Sequence, residues 1–377
     1  MQAVPIKGRG SLSNRGSRFQ AHTREAISDD WAWPQGGQEA VPADADESVR
    51  AAGAAVPASA ALRPATTITI EKARRVISRN TSPDIPFDQA VNAYRGCEHG
   101  CIYCYARPSH AYLDLSPGLD FETRLYAKDN AAQVLRHELS RPAYRPALIA
   151  MGSNTDPYQP IERRLRITAS LLGVFDEFSH PVSITTKSAL ITRDIPILAR
   201  LARRNLVRVQ LSIGTLDREL ARRMEPRAST PAARLETIRA LKDAGIPVSV
   251  IIAPVIPGLS DHELERVAIA ASGAGASEAG YVLLRLPREV AQLFREWLQA
   301  HYPMKAAHVM NLLRSTRGGN DYDADFRQRM SGSGVYADML RQRFRRICAR
   351  TGLSRQRIEL DTSHFQRPPP HGQLGLF

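Results

Sequence analysis

The chain has 377 residues, of which 43% are hydrophobic, and a formal net charge of +13 at pH 7. That length can bury a large core and suits one catalytic domain with tails, whereas the longest apolar run, around Val248 to Val255, is too short to cross a membrane. The Arg-rich excess of charge fits a polyanionic partner such as nucleic acid, and equally fits a solvated basic surface with no such role.

Residues 1–64 read as a disordered tail, a Gly/Ser/Arg segment followed by an Ala/Pro/Asp stretch with little periodic apolar content. Trp31, Trp33 and Pro34 interrupt it as a short element expected to pack back on the body. The first residues lack the apolar core of a secretory signal, so a soluble, cytoplasmic protein without membrane partners is expected. Thr66 to Ile70 alternates like a short strand, and Arg74 to Arg95 carries turn signals at Asn80, Ser82, Pro83 and Pro86.

The run Gly96-Cys97-Glu98-His99-Gly100-Cys101-Ile102-Tyr103-Cys104-Tyr105 then holds three of the four cysteines. Spaced C-x3-C-x2-C, they sit too close to staple distant parts of a fold, but one loop can wrap them around an iron–sulfur cluster as three thiolates. One iron is then left without a protein ligand. Gly96 and Gly100 suit a tight loop, where a side chain would resist the required dihedrals. The alternative is a structural zinc loop of Cys97, His99, Cys101 and Cys104, although such sites usually draw on two well-separated ligand pairs. Only Cys348 remains beyond these, too little for a second all-cysteine cluster.

This run resembles the signature of the radical S-adenosylmethionine (SAM) enzymes, in which an aromatic residue, here Tyr103, precedes the third cysteine. The resemblance implies a [4Fe-4S] cluster on Cys97, Cys101 and Cys104, with SAM chelated at the open iron through its amino and carboxylate groups. It further implies reductive cleavage of SAM to a 5′-deoxyadenosyl radical, fed by an electron donor such as flavodoxin or ferredoxin. The cofactor carries the difficult chemistry and the protein aims it.

After the loop, helical spacing and short apolar runs alternate. Helices are predicted over Asn130 to Leu139, Leu165 to Phe178, Ile195 to Asn205, Thr230 to Ala244, His262 to Ser272 and Glu289 to His301. Strands are predicted over Ala147 to Met151, Val182 to Thr185, Val207 to Ile213, Val248 to Ile252 and Tyr281 to Arg285. Such βα units predict an α/β fold, a partial or full (β/α) barrel of the radical SAM type over residues 65–302, with its site at the C-terminal ends of the strands. Those ends are the polar turn Gly152 to Pro160, then Thr185 to Ser188, Ser212 to Asp217 and Pro254 to Asp261. By resemblance, Thr155 and Asp156 match positions that hold the SAM amine, Lys187 its carboxylate, and Ser212 the ribose or carboxylate. Arg227, in Glu225-Pro226-Arg227, is a second carboxylate candidate. The pairings are chemically sound, since a carboxylate meets an ammonium and a lysine a carboxylate. A loop hydrogen bond or cap is the alternative at each position.

Residues 303–362 read as a basic helical extension, with a helix over Lys305 to Leu313, a turn at Arg317 to Asp321 and a helix over Val335 to Gly352. The last carries five arginines, and Leu340, Phe344, Ile347 and Cys348 share one face, so Cys348 reads as a packed core thiol. Residues 363–377 read as a flexible tail in which Pro368 to Pro370 form a stiff spacer. Its last five residues, Gln373 to Phe377, resemble the peptide by which bacterial polymerases and repair proteins dock on the replicative sliding clamp, with Gly375 where serine or aspartate is usual.

Within the superfamily, Cys97 to Asp261 most resembles the spore photoproduct lyase-like branch, through Tyr103, Tyr105 and the polar strand ends. Those enzymes repair a thymine dimer in DNA, and their tyrosine matching Tyr105 takes part in returning hydrogen. Their hydrogen-donor cysteine has no counterpart in Met151 to Asp156, so Cys348 or Tyr105 alone would have to serve. Three readings follow: a radical SAM enzyme acting on nucleic acid, DNA before RNA; one acting on a protein or small molecule; and a non-enzymatic iron–sulfur adaptor on the sliding clamp.

Overall fold

The computed structural model describes residues 5–19 and 65–368. Its strands are β1 (Thr67–Ile70), β2 (Ile77–Arg79), β3 (Gln89–Val91), β4 (Tyr94–Arg95), β5 (Arg124–Ala127), β6 (Ile149–Met151), β7 (Val182–Thr186), β8 (Val207–Ser212), β9 (Val248–Val255) and β10 (Glu278–Leu283). The large sheet runs β10-β9-β8-β7-β6-β3-β2. It is parallel throughout except for β2, which pairs antiparallel with β3 at the edge. A small second sheet, β1-β5-β4, carries the chain into and out of the cysteine loop.

Parallel strands need crossovers, and helices such as Ile167–Glu177, Ile195–Ala202, Pro231–Asp243 and Leu264–Gly273 supply them. The inward residues of β7 and β8 alternate with half-buried ones, so the sheet lays Val182, Ile184, Val207, Val209 and Leu211 into one continuous core. Its end strands β10 and β2 do not pair, so this is a partial barrel. Arg329 spans the opening, making a two-pronged ion pair with Asp84 at 2.5 Å on each arm.

The predicted α/β architecture is present, with differences of detail. The helix predicted over Leu165 to Phe178 is two helices, Glu162–Leu165 and Ile167–Glu177, broken where Arg166 adopts φ 54°. The short strands β2, β3, β4 and β5 had no sequence signal, because runs this short carry no readable period. The expected basic helix is Gly334–Thr351, and it is part of the body: Leu340, Phe344, Ile347 and Cys348 are buried against the Leu264–Gly273 helix, and Arg343 pairs with Glu265 at 2.6 Å. Cys348 is thus a core thiol, and the alternative in which it serves at the strand ends is overturned.

Two segments expected to be free are docked. Residues 5–19 cross the cysteine loop and reach the helix Glu289–His301, where Arg15 and Arg18 pair with Glu296 and Glu289. Residues 363–368 also pack down, Phe365 lying against Tyr144, Phe178 and His180. The Trp31/Trp33 element, most of the expected N-terminal tail, and Gln373 to Phe377 lie outside the described residues. Among the described residues no helix is long and apolar enough to cross a membrane.

Candidate active site

The cysteine loop leaves β4 and ends at the short helix Arg107–Leu113, facing the same end of the barrel as the loops after β6, β7, β8 and β10. Its backbone is pinned from all sides. Cys97 N–H donates to Phe121 O (2.8 Å) and Ile102 N–H to Met224 O (3.0 Å). Buried Gln159 clamps the entry, accepting from Glu98 N–H (2.9 Å) while donating to Gly96 O (3.1 Å). Fully buried Arg107 holds the far side, donating to Cys101 O (2.9 Å), Gly100 O (3.3 Å) and the buried carboxylate of Glu122 (2.5 Å).

Glu122 also ties the docked N-terminal segment to this loop. It accepts from Gly10 N–H (3.0 Å) and Ser11 N–H (2.8 Å), so one buried carboxylate joins the two. The approach is so close that a Cβ on residue 10 would lie 1.8 Å from Gly100 O, and Gly100 itself adopts φ 66°. Glycine is therefore needed on both sides of the contact.

With the backbone held in this way, the thiols are what the loop presents. Cys97 and Cys101 are buried, Cys104 is partly exposed, and all are free. Burial pushes the Cys97 thiol up, reinforced by Asp156, Cys101 and Cys104, and the Cys101 thiol is pushed up to about 12, mainly by burial against a favourable pull from Lys187. Thiols that raise one another in this way call for a shared positive centre to ionise them, which fits an iron–sulfur cluster. The zinc alternative would need the His99 ring, which instead faces Asp156, Nδ1 to Oδ2 3.3 Å.

Behind the thiols lies a buried polar floor. Tyr103 donates its hydroxyl hydrogen to Glu225, and Arg234 donates to Glu225, Ser212 O (2.7 Å) and Ser229 O (2.8 Å). Lys187 extends over this floor with Nζ 5.9 Å from the Tyr103 ring centroid. Burial pulls its ammonium down, but Cys101 and Glu225 outweigh that, so its pKa lies above the ordinary value.

The sequence-predicted SAM contacts are gathered at this end of the barrel, but most have spent their polar atoms. Thr155 donates its hydroxyl to Tyr94 O (3.1 Å), and its N–H reaches Asn92 Oδ1 (3.3 Å). Asp156 accepts from Tyr158 N–H (2.9 Å), the Thr186 hydroxyl (2.7 Å) and Lys187 N–H (2.8 Å). Burial would raise its pKa, but His99 and these donors hold the carboxyl at about 2. Ser212 donates to Ala253 O (3.2 Å), and Arg227 pairs with Glu98 at 2.8 Å. Among the described residues no carboxylate lies within ion-pair distance of Lys187 Nζ. Tyr105 is 48% exposed at the mouth, its hydroxyl on Ser153 O and the Arg285 guanidinium 5.2 Å from its ring centroid.

Sequence reasoning missed Asn92, Arg107, Glu122, Gln159, Arg234 and Arg285. Their partners lie far along the chain or are backbone atoms, so no local spacing marks them. Gln159, in the polar turn Gly152 to Pro160, and Glu225, in Glu225-Pro226-Arg227, stood in singled-out motifs without a role of their own, and only the fold shows Gln159 clamping the loop and Glu225 beneath Tyr103.

Residues 91–270 match the family model of the Radical SAM superfamily. Over 232 residues the chain is 40% identical to the uncharacterized protein Rv2578c of Mycobacterium tuberculosis (strain ATCC 25618 / H37Rv), a span of 61% of this chain and 68% of that relative. The chain belongs to the radical SAM superfamily. Its cofactors are accordingly a [4Fe-4S] cluster and SAM, and it is a radical SAM enzyme. A more distant relative, the uncharacterized protein MJ0683 of Methanocaldococcus jannaschii, is 27% identical over 51% of this chain and 69% of its own length. Among solved structures, a spore photoproduct lyase point mutant aligns with TM-score 0.51 at 16% identity, and the lyase complexed with dinucleoside spore photoproduct with TM-score 0.50 at 17%. Each comparison covers 76% of this chain and 80% of the lyase, and shows that this radical SAM enzyme has the lyase fold.

Proposed function

We propose that this radical SAM enzyme acts on nucleic acid, DNA before RNA, as a lesion-repair or related radical enzyme. The observation that carries the reading is Tyr105, exposed at the barrel mouth directly beside Cys104 and held by Ser153 O on the first strand-end loop. The solved lyase complexed with dinucleoside spore photoproduct shares this fold, and the net charge of +13 suits a polyanion.

In this reading Cys97, Cys101 and Cys104 hold the cluster, and Lys187, a protonated ammonium with no carboxylate partner among the described residues, meets the carboxylate of SAM. Thr155, Asp156, Ser212 and Arg227 act as positioning residues, because their polar atoms hold the walls together. Tyr103 is the floor, fixed by Glu225. The bound cofactors supply hydrogen-atom abstraction. Tyr105 keeps its proton, since desolvation of its hydroxyl end and the neighbouring Cys104 raise its pKa, and it is the hydrogen donor that the mouth offers in place of a cysteine. The electron comes from a donor such as flavodoxin or ferredoxin, and the tail Gln373 to Phe377 is a sliding-clamp docking peptide, testable by clamp binding before and after its removal.

The test is anaerobic reconstitution followed by an assay of 5′-deoxyadenosine, with Cys101→Ala as control and damaged DNA, intact DNA or tRNA added. Stimulation by damaged DNA that Cys101→Ala abolishes supports the reading. Turnover of SAM with neither stimulation nor binding by any nucleic acid at physiological salt overturns it in favour of a protein or small-molecule substrate.

A further inference from the structure

The mouth of the barrel holds a cation that the cofactor site does not use. Arg285 follows β10, at the same end as the cysteine loop, and its guanidinium lies 5.2 Å from the Tyr105 ring centroid. Among the described residues its Nη1 reaches only the sulfur of Met330 (3.4 Å), and its Nε is buried with no hydrogen-bond partner. A second guanidinium stands behind it. Arg317, 1% exposed, donates to Gln328 O (2.8 Å), Leu284 O (3.0 Å) and Leu283 O (3.5 Å), and its Nε is likewise buried without a partner. Burial and then the charge of Arg285 pull the Arg317 pKa down to about 10, whereas Asp323 and Tyr322 act the other way without making contact.

Among the described residues neither arginine has a carboxylate within ion-pair distance, although their neighbours do: Arg329 has Asp84, and Arg295 and Arg314 share Asp321. Two neighbouring cations with orphaned donors cost stability unless something compensates them. Arg317 is explained by its three carbonyl partners, two of which, on Leu283 and Leu284, immediately precede Arg285. Arg285 has no such set of carbonyls among the described residues, where its contacts are the Met330 sulfur and the Tyr105 ring. An anion would satisfy it, and a phosphate suits the planar fork of donors best.

We infer that Arg285, backed by Arg317 and stacked beside Tyr105, is a phosphate subsite that grips the phosphodiester next to the reacting nucleotide. The inference rests on the nucleic-acid reading above and adds the contact that would bring the substrate to Tyr105. Arg317 is a positioning residue in it.

The experiment uses the reconstituted holoenzyme under anaerobic conditions and compares wild type, Arg285→Gln and Arg285→Lys. Two probes are titrated, a fluorescent dinucleotide with a natural phosphodiester and the same dinucleotide with a neutral methylphosphonate linkage; melting temperature is read with and without inorganic pyrophosphate. Arg285→Gln is expected to weaken the phosphodiester probe about 10- to 100-fold, to leave the methylphosphonate probe unchanged, and to abolish a pyrophosphate-induced rise in melting temperature. Arg285→Lys should retain part of the phosphodiester preference. Without added anion Arg285→Gln should melt no lower than wild type, since it removes an uncompensated cation, whereas an arginine that only braced the fold would lower it.

Equal affinities of wild type and Arg285→Gln for the phosphodiester probe overturn the subsite and leave the nucleic-acid reading standing. Binding of neither dinucleotide together with a pyrophosphate rise that depends on Arg285 overturns the nucleic-acid reading and leaves the anion site. Binding of neither dinucleotide with no pyrophosphate rise overturns both.

Discussion

The cysteine loop and the strand ends facing it are both rich in polar groups, yet the fold treats them oppositely. In the loop it is the backbone that is held, by Gln159, Arg107 and their partners, while the three thiols are left free. At the strand ends the side chains of Thr155, Asp156 and Ser212 are the groups employed, and Lys187 is the exception whose charge remains available. The difference teaches that a polar residue at a strand end is not by position a ligand contact. What matters is whether its donors and acceptors are already satisfied, because breaking a buried hydrogen bond to reach a ligand returns the energy that the new bond supplies.

The contrast would be broken most severely where the loop meets the docked N-terminal segment. Gly10→Val sets a side chain against Gly100 O and should detach the segment, losing the two backbone hydrogen bonds to Glu122. The expected loss is about 4 kcal/mol, from two bonds to a charged acceptor. Hydrogen exchange over residues 96–105 of the metal-free protein checks it; unchanged protection there would mean that the loop holds its shape without the segment.

Next in size is a buried polar group that belongs wholly to the architecture. The His180 ring meets the Tyr144 hydroxyl (2.7 Å) and Pro181 O (2.9 Å), and burial pulls its pKa down to about 4. In the unfolded chain it titrates at about 6.5. Between these values the unfolded state binds the extra proton, so the contribution is whole above pH 6.5 and is lost as pH falls to 4. The loss amounts to about 3 kcal/mol. Denaturant unfolding of wild type and His180→Gln across this range should show a shallower pH slope in the variant; identical slopes would contradict it.

The smallest effects divide the strand ends themselves. Lys187→Met should raise the KM for SAM about 10-fold by removing a charged contact, with little change in melting temperature. Thr155→Val should do the reverse, costing about 1 kcal/mol of stability with KM close to wild type. If both variants acted mainly on KM, the distinction between employed and available groups would fail.

Much of the protein was legible before any fold was known. The C-x3-C-x2-C run, the alternating βα pattern and the apolar face of the helix Gly334–Thr351 are local signals, carried by spacings of a few residues, and each led to the correct element. The family follows from the first of them. Local signals failed at the short strands β2 to β5, too brief for a period, and in residues 5–19, whose composition suggests disorder while their backbone donors find Glu122 more than a hundred residues away. The amino-acid order therefore marked the family and its cofactors, because the spacing of three clustered cysteines is a matter of near neighbours in the chain. Folding then set which polar groups are spent and which, like Lys187 and Arg285, have no carboxylate partner among the described residues, because hydrogen-bond satisfaction depends on partners that lie far apart along the chain.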